Sequence, residues 1–230
     1  QNKDRSARAG KRVSWIDQYG NSHDLDFVIE VEGTDHQIGR PVAFIESAWR
    51  RYTKHSRNKA QEIQGAILPL AEKYRWNNPF LGAVLAGVFT EGSLEQLRSL
   101  GFQVLYIPYE SLVNAFQSEG IDVAFDETTS DQIFKATTKR IEETSPETMS
   151  KVRQHLVDTN QTAINGFFDA LRQRLSRRVT RVVVIPLYGR VNEFISIEAA
   201  LKFLDGHQIY EGSGDFRKYE VRVEFSNGDK

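Results

Sequence analysis

The chain has 230 residues, 40% of them hydrophobic and 27% charged, with a formal net charge of -1, which is enough for one large domain or a domain plus a lobe. No apolar stretch approaches the ~20 residues needed to span a bilayer, and no apolar run follows the basic start as a signal peptide requires. The absence of cysteine excludes disulfides and thiol nucleophiles, argues against a structural zinc site and fits a cytoplasmic protein.

Val13 to Asp17 and Leu25 to Val31 are expected to be short strands joined as a hairpin by the turn residues Tyr19-Gly20-Asn21. Pro41 opens an apolar strand that runs through Glu46 towards Trp49. After a basic connection, Ala60, Ile63, Ile67, Leu70 and Tyr74 recur at spacings of three and four, predicting a helix from about Lys59 that Pro69 could kink or end early. Leu81 to Phe89 is almost wholly apolar, as in a strand buried on both faces. Ser93 is expected to cap a short helix that ends at Gly101. Phe102 to Ile107 predicts a strand, and Ser111 to Phe116 a helix.

The alternation from Pro41 to Gly120 therefore predicts parallel strands joined by right-handed crossovers. Ile121 to Gln173 is expected to be mostly helical. Strands at Arg181–Leu187, Gln208–Glu211 and Tyr219–Phe225, with a helix at Ile197–Leu204, complete an accessory lobe. The expected class is α/β: a mixed central sheet flanked by helices in residues 1–120, with an accessory α+β lobe in 121–230. The start without Met and the turn-like Ser226-Asn227-Gly228 near the end suggest a piece of a longer chain.

Charge is uneven along the chain. Arg50, Arg51, Lys54 and Arg57 precede Lys59 without an intervening acid, and Arg172, Arg174, Arg177 and Arg178 form a second basic run. Each run is either a solvated face or a footprint for DNA phosphates. Asp26 lies with Asp24 on the second predicted strand, and Glu46 ends an apolar run where an unpaired charge is costly. Lys59 and Glu62 share one flank of the predicted helix. Carboxylates on adjacent strands can converge, and such a pair suits a hard divalent cation. A nearby lysine suits phosphate chemistry. The five histidines show no ligand spacing, although His55 lies in the basic connection. Gly212-Ser213-Gly214 does not link a strand to a helix, so it is a turn rather than a phosphate loop.

On these residues the sequence resembles the PD-(D/E)xK nucleases, which include many type II restriction endonucleases. The resemblance covers about Val13 to Phe116. That family's core is a hairpin, a third strand, a helix and two further strands, with the catalytic Asp on the second strand and the Glu on the third. Asp26-Phe27-Val28-Ile29 and Phe44-Ile45-Glu46 match those places. The resemblance implies a metal-dependent DNA endonuclease, as in restriction-modification, acting on double-stranded DNA with Mg²⁺, for which Mn²⁺ can substitute. Asp26 and Glu46 would be the metal ligands, and a homodimer would match palindromic sites. Where the family has lysine two residues after the Glu, this chain has Ala48. Three explanations compete. The lysine has moved to the helix, with Lys59 the first candidate, Lys54 the second and Glu62 an auxiliary acid; position 48 has been mutated; or the chain is a catalytically inactive DNA-binding protein on the same scaffold.

Overall fold

A computed structural model describes residues 5–8, 14–51, 56–126, 128–186, 190–206 and 219–228. Two compact units divide the chain, Gln1–Leu171 and Arg172–Lys230.

In the first unit, β1 (Ser14–Ile16) and β2 (Ser22–Asp24) form a two-stranded antiparallel hairpin. The turn between them is built on Asp17, which is 2% exposed. Its carboxylate accepts the Tyr19 and Asn21 amides and the His23 Nε2. Burial alone would raise the Asp17 pKa, but these bonds outweigh it and hold the carboxyl far below its ordinary range.

The predicted hairpin needs correction here. The first strand pairs with Ser22–Asp24, and the next strand, β3 (Phe27–Val31), begins a new sheet. Leu25 is buried in the core with Trp15, which forces a bend at Leu25-Asp26. Asp24 and Asp26 therefore do not share a strand face.

The main sheet has the order β3–β4–β5–β6, with β4 at Arg40–Arg50, β5 at Phe80–Gly87 and β6 at Gln103–Pro108. β3 is antiparallel to β4, and the other neighbours are parallel. The crossovers are α1 (Ser56–Lys73) and α2 (Glu91–Ser99), and α3 (Tyr109–Gln117) follows β6. The molecule is thus a mixed α/β fold with a mixed sheet and flanking helices. α1 continues through Pro69 to Lys73. Its stripe of Ala60, Ile63, Ile67 and Leu70 is fully buried against Phe44, Ala83 and Leu85 of the sheet. Each such Leu or Ile is worth about 1.5–3 kcal/mol when removed from water. The cap of α2 is Thr90, whose side chain accepts from the Ser93 amide. Ser93 instead sits buried one turn in, its hydroxyl 2.7 Å from that of Thr90.

α4 (Asp131–Glu142) and α5 (Pro146–Thr159) begin at serine caps, Ser130 and Ser145. α6 spans Gln161–Leu175. Its Phe167 and Leu171 cover the second face of the sheet, on Ala43, Ile45, Phe80 and Leu105. At Gly82 a side chain would meet Ile45 at 2.8 Å and Phe167 at 3.1 Å, so glycine permits this close packing. The same contacts explain why the boundary falls at 171/172 and not at the expected 120/121. α6 covers the first sheet and α5 packs against α3, so these helices belong to the first unit.

The second unit is a three-stranded antiparallel sheet of order β8–β7–β9, with β7 at Val179–Pro186, β8 at Asn192–Phe194 and β9 at Tyr219–Phe225. Val182 and Val184 pack with Ala200 of α7 (Ile197–Gly206). The predicted strand Gln208–Glu211 and the turn Gly212-Ser213-Gly214 lie outside the described residues. No helix among the described residues is long and apolar enough to cross a membrane.

Candidate active site

Glu46 sits inside β4, on the face that packs against α1, and is 9% exposed. Asp26 occupies the bend just before β3 and is exposed. The last rung of the β3–β4 ladder is Phe27 opposite Ile45. Beyond it, side chains take over the pairing. The Asp26 amide donates to Glu46 Oε1 at 3.2 Å. In return, the Ser47 amide and hydroxyl donate to Asp26 Oδ2 at 2.8 and 2.7 Å. Each carboxylate thus holds the opposite strand, and the two acids meet where the strands part.

Electrostatics records this proximity. Burial pushes the Glu46 carboxyl above its ordinary value, and the charge of Asp26 pushes it further. The Asp26 amide and the charge of Lys59 pull it back. Lys59 lies on the first turns of α1. Its ammonium lies 3.2 Å from Glu62, which also faces Arg50 at 3.8 Å. Ala48, two residues after Glu46, packs against the α1-side core. Gly87 ends β5 beside this site with φ +98°. A side chain there would collide with the Arg50 carbonyl at 2.1 Å, which instead accepts the Val88 amide at 2.7 Å.

No cluster of three or more His, Asp or Glu able to hold a metal occurs among the described residues. Asp26 and Glu46 are nevertheless a hard-oxygen pair. A cation that keeps several waters and takes its remaining ligands from substrate phosphate needs only one or two carboxylates.

The basic residues have more varied tasks than their spacing suggests. Arg50 faces Glu62 and donates to the Trp49 carbonyl. Arg57 is exposed on the first turn of α1. Arg51 is engaged in packing: its guanidinium lies over Phe125 at 5.4 Å and Phe134 at 5.3 Å and donates to the Asp126 carbonyl at 2.9 Å. Lys54 and His55 lie outside the described residues. In the second run, Arg172 and Arg174 end α6, where cations suit the helix dipole. Arg177 stacks on Phe225 at 4.6 Å, whereas the Arg178 side chain is exposed.

Sequence reasoning passed over two features. The Ser47 hydroxyl carries no signal of its own, because a polar residue on a strand looks like an ordinary solvent-facing position. A cavity of about 770 Å³ lies on the other sheet face, lined by Val84, Leu105, Phe167 and Phe168 and reaching Asp26 and Ser47. The remaining described histidines have structural partners or open surroundings: His23 bonds Asp17, His36 bonds Ser6, and His155 is exposed on α5. No protein-family model, no curated protein and no solved structure matches the chain.

Proposed function

We propose that the chain is a Mg²⁺-dependent endodeoxyribonuclease with a restriction endonuclease-like core, acting on double-stranded DNA in the cytoplasm. The observation that carries this reading is the pair of crossed hydrogen bonds that brings Asp26 and Glu46 together at the parting of β3 and β4, with Lys59 paired to Glu62 on the first turns of α1. Asp26 and Glu46 would hold the ion. When bound, it neutralises charge building on the scissile phosphate and makes the attacking water more acidic.

The chain's own residues account for the rest. Lys59 supplies the compact positive charge that the family resemblance expects at position 48, and it stabilises the transition state more than the ground state. Glu62 holds Lys59 through their ion pair. Arg50 and Arg57 bind the DNA backbone near the cut. Arg178, with Arg172, Arg174 and Arg177, offers a second set of phosphate contacts. Arg51 serves the fold rather than the DNA.

Ala48 favours one rival reading, a DNA-binding protein that keeps the scaffold without the chemistry. Incubating plasmid DNA with the chain and Mg²⁺ or Mn²⁺ separates the two. The enzyme reading expects cleavage that is abolished by chelator and by Asp26→Ala. Binding without cleavage under all conditions overturns it in favour of the rival.

A further inference from the structure

We infer that Ser47 is a positioning residue for metal binding, setting the orientation of the Asp26 carboxylate through its hydroxyl; this rests on the metal reading above. Asp26 lies outside the ladder, in a bend, and is exposed. Nothing in the local backbone would hold such a side chain in one rotamer. Ser47 supplies what is missing. Its amide and hydroxyl both grip Oδ2, at 2.8 and 2.7 Å. Two bonds to one oxygen from one residue fix both the position and the roll of the carboxylate. Oδ1 has no hydrogen-bond partner among the described residues, and it remains for a ligand.

The amide bond would exist with any residue at position 47, because β3 stops at Phe27 and leaves that donor without a ladder partner. The hydroxyl bond requires Ser or Thr.

Outer hydrogen bonds that orient metal ligands are typically worth about 10–100-fold in affinity. The test is Mn²⁺ titration, followed by calorimetry and by the electron paramagnetic resonance of the ion. It compares the wild type, Ser47→Ala, Ser47→Thr and Asp26→Ala, with melting temperatures measured in parallel. The expected result is weaker Mn²⁺ binding by about 10–100-fold in Ser47→Ala and recovery to near wild-type affinity in Ser47→Thr. Wild-type affinity in Ser47→Ala overturns the inference, and so does equal weakness in the Ala and Thr variants. Failure of the underlying metal reading looks different: the wild type binds no Mn²⁺, or Asp26→Ala binds it as well as the wild type. Either of those results overturns both.

Discussion

At the scale of single residues, the site holds an acid where the fold disfavours one. Glu46 is buried in β4 and faces a second carboxylate, and both influences raise its pKa. A group whose folded pKa is raised binds its proton more tightly in the folded state. Stability is then highest below the ordinary Glu range and falls as the pH rises through that range to the raised value. Glu46→Gln keeps an acceptor for the Asp26 amide and removes the charge. It should raise the melting temperature at neutral pH by about 2–4 °C, the shift that ~1 kcal/mol produces in a chain of this size. The gain should vanish on acidification below the Glu range, and Mn²⁺ binding should be lost at every pH. A variant that melts at or below the wild-type temperature at neutral pH would show that the buried charge is compensated by partners other than a metal.

Among the elements, β4 does most to assemble the site. It carries Glu46 and Ser47, ends at Arg50, and passes into Arg51, whose guanidinium lies over Phe125 and Phe134. Arg51→Ala should therefore cost about 1–2 kcal/mol of stability in denaturant titration, the range for a partly desolvated cation–π contact. It should leave the salt dependence of DNA binding unchanged. Arg57→Ala should do the reverse, flattening the slope of log K against log salt by about one with stability intact. A flattened slope in Arg51→Ala would mean that its guanidinium leaves the aromatic pair to contact phosphate. Much of the first sheet was legible because burial leaves a period: Ala60 to Leu70 at helical spacing, and Leu81 to Phe89 as a short apolar run. Asp26 and Glu46 were legible as acids bordering apolar strands. What could not be read depends on contacts distant in sequence. The partners of Arg51 lie some 75 residues away, and the unit boundary depends on Phe167 and Leu171 meeting the sheet. The bend at Leu25 was hidden for a different reason: its burial beside Trp15 interrupts what otherwise looks like one strand.

For the molecule as a whole, a net charge of -1 means that DNA binding cannot come from bulk attraction. Under the proposed function it would come from local groups such as Arg50, Arg57 and Arg178. Both units supply candidate contacts, while the chemistry is assigned to the first alone. The measurement that tests this account most directly is the rate of plasmid cleavage in Mg²⁺ by three proteins: the wild type, Lys59→Ala, and Lys59→Ala combined with Ala48→Lys. If Lys59 has taken over the missing charge, the wild type cuts and Lys59→Ala slows about a hundred- to thousand-fold while still binding DNA, the usual scale for losing one preorganised electrostatic group. Restoring lysine at position 48 should then recover much of the rate. A wild type that binds DNA without cutting it, or a Lys59→Ala variant that cuts as fast as the wild type, would contradict the account.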